Sequence, residues 1–92
     1  MPDIAVSLPS LLSAIMHGQK KVEVSGDTLS EVFDDLRRRY PTLAVHLFDE
    51  TGNLREHVLC FVNDTNTRWL ESGDHPLDAG DSLTILQAVS GG

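Results

Sequence analysis

Residues Thr28–Pro41, TLSEVFDDLRRRYP, constrain this chain more than any other stretch. Thr28 and Glu31 have capping-box spacing: the Thr28 hydroxyl accepts the Glu31 amide, and the Glu31 side chain reaches back. Leu29, Val32, Phe33, Leu36 and Tyr40 then recur at helical spacing and form one apolar stripe. Acidic Glu31, Asp34 and Asp35 come early and Arg37, Arg38 and Arg39 come late, which complements the helix dipole. Pro41 ends the helix. A helix apolar on one side only must bury that side against something else in the chain.

Short strands supply the partner surface. Ile4, Val6 and Leu8 alternate with Ala5 and Ser7, and Pro9 closes that run. Lys21–Ser25 places Val22 and Val24 on one face, and Gly26-Asp27 breaks it. His57–Asn63 and Ser82–Ala88 read as two more strands, and Thr67–Leu70 as a short one. Ser10–Gln19 fits a short helix or the apolar side of a loop. Thr42–Glu50 has mixed spacing and fits a helical turn or a loop under the core. The order strand, strand, helix, strand, short strand, strand predicts an α+β fold: a β-grasp, ubiquitin-like domain with a mixed four- to five-stranded sheet on one main helix. Residues 1–92 form one such domain, and residues 88–92 form a flexible Gly-Gly tail projecting from a central last strand.

Composition removes several function classes. The 92 residues suffice for one small core that buries roughly 60–65% of the unfolded surface. The net charge of −7, from 14 acidic and 7 basic residues, opposes nucleic-acid binding. The longest apolar run, Val58–Val62, is far too short for a membrane span, and the N-terminal residues have no signal-peptide pattern. The expected location is the cytoplasm. Cys60 is the one cysteine, which excludes an internal disulfide and a cysteine-ligated metal cluster. It reads as a small core residue. His17, His46, His57 and His75 are dispersed without ligand spacing, so no metal site is expected. The carboxylates read as solvated surface, and the Arg37–Arg39 run as helix-end charge, with a partner contact as its alternative. No catalytic residues are predicted.

The terminus remains. Ser90-Gly91-Gly92 ends in two residues without a Cβ, which thread a channel too narrow for other residues. Such an ending fits a frayed terminus. It also fits a carboxylate handed to an enzyme, adenylated, and then attacked by sulfide to give a thiocarboxylate or by lysine to give an amide.

The flanking residues carry a resemblance. FVND at Phe61–Asp64, PLDAGDSLTIL at Pro76–Leu86 and AVSGG at Ala88–Gly92 resemble, in order and spacing, the small ubiquitin-like sulfur carriers of the ThiS and MoaD family. VSLPSLL at Val6–Leu12 and VSGDTLSEVFDDLRRRYPTL at Val24–Leu43 are similar to its CysO-type branch and to long MoaD-like members. The resemblance implies Gly92 as the sulfur-bearing residue, with Gly91 and Ser90 required for activation. It implies an E1-like adenylyltransferase of the ThiF or MoeB/MoeZ kind that uses Mg-ATP, while the carrier itself binds no cofactor. For the CysO type it implies a pyridoxal-phosphate-dependent cysteine synthase as sulfur acceptor and a metalloprotease that releases cysteine. A MoaD-like small subunit of molybdopterin synthase and a modifier conjugated to protein lysines are the alternatives. Ser90 and Gln87 stand where CysO-type members often have alanine and many members have proline, so the tail leaves the branch open. Strand alternation further places Phe61, Leu86 and Leu59 on the open sheet face as a docking surface, with an acidic rim for steering, unless the Thr42–Leu54 segment covers them.

Overall fold

Val24, Ile4, Leu83 and Cys60, one from each of four strands, are all completely buried, which puts one face of the sheet against the helices. The computed structural model describes residues 2–70 and 75–87, with Trp69 by its backbone alone. In chain order the elements are β1 (Asp3–Ser7), α1 (Ser10–Ile15), β2 (Lys21–Ser25), α2 (Leu29–Arg39), α3 (Pro41–Leu47), β3 (Val58–Val62), β4 (Thr65–Asn66), a 3-10 turn (Thr67–Trp69) and β5 (Ser82–Gln87). The sheet order is β2-β1-β5-β3-β4. β5 lies parallel to β1 and antiparallel to β3, with Ser7 opposite Thr84 and Val58 opposite Gln87. The last strand is therefore central, as the order of elements predicts.

α2 carries the core stripe: Leu29, Val32 and Leu36 are buried, and Phe33 and Tyr40 pack against them. Thr28 accepts the Glu31 amide at 3.2 Å. Glu31 reaches one residue further back than a standard capping box and accepts from the Asp27 N–H at 2.8 Å. The Leu29 N–H, otherwise an orphan donor of the first turn, donates to the His75 carbonyl, which ties the segment before β5 to the helix start. Gly26 sits where a Cβ would lie 2.8 Å from the Val32 nitrogen and 2.9 Å from Glu31 Cβ. The β2–α2 corner closes only because that Cβ is missing.

Two alternatives left open by the sequence resolve to helix, and one local expectation changes. Pro41 stops α2 but also begins α3, because a fixed φ and a missing N–H suit the first position of a new helix. Thr42–Glu50 is thus mostly helix, with Leu43, Ala44 and Leu47 buried. The short strand is Thr65–Asn66 rather than Thr67–Leu70. A tight turn with Asn63 at φ 52° starts pairing at once, and Asn66 Oδ1 then accepts the Arg68 N–H and turns the chain into the 3-10 segment. Ser10–Gln19 forms helix α1 over Ser10–Ile15, of which Leu12 is buried.

A second change concerns charge. Asp35 is not surface: it is 4% exposed. β2 is an edge strand, and the helix layer covers its outer side. Ser25 N–H donates to Asp35 Oδ2 at 2.8 Å, and the Tyr40 hydroxyl donates to the Glu23 carbonyl at 3.2 Å. Arg38 bonds Asp35 Oδ1, and Arg39 lies 3.0 Å from Oδ2. Burial pushes the Asp35 pKa up, but the Ser25 amide and the two arginines outweigh it and hold the carboxyl below its ordinary value. Arg37 bonds Asp34 and the Gly52 carbonyl and stacks on Phe48, 4.2 Å from the ring centre. The arginine run is helix-end charge with specific internal partners.

Two predictions follow from this frame. Gly26→Ala should cost about 1–3 kcal/mol by overpacking the corner, read as a lower midpoint in urea at unchanged m-value; an unchanged midpoint would show that the corner is slack. A depressed carboxylate pKa stabilises the fold above the unfolded-state pKa and loses that contribution as pH falls through the folded one. Stability should therefore decline below about pH 4, and Asp35→Asn should flatten that limb while lowering stability at neutral pH by about 1–3 kcal/mol. Denaturant titrations between acid and neutral pH measure both effects.

Candidate functional site

The sheet's parallel centre decides what surrounds the tail root. β5 runs from Ser82 to Gln87, and because β1 runs the same way, the ends of both strands lie together. β3 starts at that end too, with Val58 opposite Gln87. Ala88–Gly92, including the predicted Ser90, Gly91 and Gly92, lie outside the described residues.

On the open face the predicted docking residues come together. Leu59 and Leu86 stand directly opposite each other, and Phe61 is opposite Thr84 in the adjacent row. Leu86 is 43% exposed, while Leu59 and Phe61 are half-buried. Their neighbours Val58, Cys60, Val62, Leu83 and Ile85 all point into the core. The Thr42–Leu54 segment does not roof this patch: Leu43 and Leu47 are buried in the core cluster on the opposite face, with α3 against α2 and α1.

The described acidic residues lie at both ends of the sheet. Asp3, Asp27, Glu31, Asp64, Asp78 and Asp81 sit at strand starts, at the β3–β4 turn or at the α2 N-terminus, which is the end from which β5 departs. Asp81 accepts the Asp78 amide and an Asn63 amide hydrogen there; these bonds hold its carboxyl below the usual range. The other end, where β5 finishes, carries Lys20, Lys21 and Arg55 together with Glu56, which lies between Arg55 and Val58. The Lys20 carbonyl accepts the Leu8 N–H, Lys21 is opposite Ser7, and the Arg55 carbonyl accepts the Val58 N–H.

The conventional catalysts stay apart. Cys60 is fully buried, and burial pushes its thiol up to about 12. His57 precedes β3 and is exposed, not on the strand. Among the described residues no group of three or more His, Cys, Asp or Glu could hold a metal ion. Sequence reasoning missed two exposed apolar residues, Leu11 and Val45. The signal for Leu11 is its place beside Leu12, since neighbours on a helix lie about 100° apart and only one faces the core. Cys60 should resist iodoacetamide at pH 8 in the folded protein and react once denaturant exposes it; rapid labelling of the native chain would show an accessible thiolate.

Comparison with known proteins gives a consistent answer. The ThiS family matches residues 7–92. The sulfur carrier protein CysO of Mycobacterium tuberculosis is 39% identical over 92 residues, covering 98% of this chain and 99% of the relative, and the crystal structure of CysO from that organism superposes with a TM-score of 0.80 over 94% of this chain and 99% of the other. The Amycolatopsis orientalis BexX/CysO complex matches at 35% identity and TM-score 0.81, covering 97% and 99%. Small archaeal modifier protein 1 of Methanosarcina acetivorans matches at 30% identity and TM-score 0.79, covering 100% and 98%.

Proposed function

This chain belongs to the ThiS family, and from that premise we propose that it is a sulfur carrier protein of the CysO type, a protein cosubstrate rather than a catalyst. The observation that carries the reading is the reach of the match. It runs to Gly92 itself, and the relative named a sulfur carrier aligns over nearly its whole length.

The chemistry needs no side chain of this protein. A carboxylate resists nucleophiles because oxide is a poor leaving group. An E1-like adenylyltransferase joins the Gly92 carboxylate to AMP from Mg-ATP and releases pyrophosphate. Sulfide then attacks the carbonyl carbon and expels AMP, leaving a thiocarboxylate. Gly91 and Ser90 give the enzyme a thin stalk to enclose, and Leu86, Leu59 and Phe61 give it an apolar surface beside the tail root. The thiocarboxylate then supplies sulfur to a biosynthetic enzyme. For the CysO type that enzyme is a pyridoxal-phosphate-dependent cysteine synthase, with a metalloprotease to free the cysteine. The BexX/CysO complex of Amycolatopsis orientalis supports a protein partner for such a carrier. A cytoplasmic location fits this chemistry; no described helix is long and apolar enough to cross a membrane.

A second reading is conjugation to protein lysines, favoured by the fold shared with an archaeal protein named a modifier. Intact mass separates the two. Incubation with the E1-like enzyme, ATP and a sulfur donor should raise the mass by the difference between sulfur and oxygen, and removal of Gly91 and Gly92 should abolish the change. A ladder of heavier conjugates would favour the modifier. Neither change in the presence of the cognate enzyme would refute both readings.

A further inference from the structure

Lys20 and Lys21 are the only lysines in the sequence; the other strong bases are arginines. A guanidinium stays charged and does not attack carbonyls, whereas a lysine amine is a nucleophile once it loses its proton. The sheet register turns Lys21 toward the tail root. Lys21 is opposite Ser7, Ser7 is opposite Thr84, and Thr84 is opposite Phe61. These four form one row across the open face, because their neighbours Val22, Val6, Leu83 and Val62 point into the core. Lys21 is exposed, and the short side chains of Ser7 and Thr84 leave the floor between it and β5 low. No hydrogen bond or ion pair between described residues engages its ammonium. Thr84 precedes Gln87 by three residues on β5. Two strand spacings across and three residues of rise put the Lys21 and Gln87 Cα atoms about 14 Å apart. Gly92 lies five residues beyond Gln87. Five extended residues span up to about 17 Å, so the carbonyl of Gly92 comes within reach of the Lys21 amine.

We propose that Lys21 is a self-acylation site, an intramolecular competitor of sulfide for the activated Gly92 carbonyl. The inference rests on the sulfur-carrier reading and gives the adenylate a second fate. The Lys21 ammonium first loses a proton to water. Its nitrogen lone pair then forms an N–C bond to the Gly92 carbonyl carbon. The C–O bond to the AMP phosphate breaks, AMP leaves with that electron pair, and the nitrogen releases a second proton. The product is a chain closed by an isopeptide bond and one water lighter than the free protein. Its carboxylate is gone, so it is neither adenylated again nor loaded with sulfur. Tethering favours this lysine over one on another protein, because a short span gives an effective concentration in the millimolar range. Sulfide supplied on the activating enzyme captures the carbonyl first. Without it, the adenylate that leaves the enzyme closes on Lys21, which retires carriers activated in the absence of a sulfur donor.

The test incubates the full chain with the cognate E1-like enzyme and ATP, omits the sulfur donor, and follows intact mass and peptide fragments. A product one water lighter should form, in a yield independent of carrier concentration, with Lys21 joined to Gly92 in one fragment. Lys21→Arg, which keeps the charge at an exposed position, should abolish that product while ATP–pyrophosphate exchange and melting temperature stay unchanged. Lys20→Arg should leave the product in place, and added sulfur donor should replace it with the thiocarboxylate. Exchange without loss of water would overturn the site and leave the carrier reading intact. So would loss of water that maps to another residue or survives Lys21→Arg. A doubled mass linked through Lys21 would overturn the intramolecular step. No exchange with wild type would remove the carrier reading and the site with it.

Discussion

The parallel pairing of β5 with β1 is the constraint on which the rest depends. It inserts a strand from late in the sequence between elements from early and middle positions, so the sheet is complete only when distant parts of the chain meet. Because the pairing is parallel, the connection between the two strands must cross the whole domain, and α2 lies on that path as the cover of the buried face. The same pairing sets the direction of β5. Gln87 emerges at the end where β1 finishes and β3 begins, rather than at the end where β1 starts and β3 finishes.

Asp35 extends this logic to the edge. A carboxylate in mid-helix reads as solvent-exposed by default. Here the edge strand β2 has an outward N–H at Ser25, and the helix delivers an acceptor to it. Arg38 and Arg39 keep that acceptor charged. With Tyr40 holding the Glu23 carbonyl, part of the strand's outer side is occupied from within the molecule, which blunts pairing with another chain at that edge.

Local physics that repeats within a few residues was legible. The α2 cap, its stripe and its proline stop all lie within Thr28–Pro41, and β3 and β5 alternate cleanly, so Leu59, Phe61 and Leu86 were placed on the correct face. Features that require two distant segments were not. The burial of Asp35 depends on Ser25 ten residues earlier; its i,i+3 and i,i+4 arginines were the available hint. α3 was obscured because proline signals an end and a beginning with the same letters. Leu11 and Val45 lay in segments whose periodicity was mixed, where alternation does not assign a face.

The gathering of Asp3, Asp64, Asp78 and Asp81 at the start of β5 also gives that pole a local hold on a cationic support. A molecule held there keeps Gln87, at the other end of the same strand, turned toward solution.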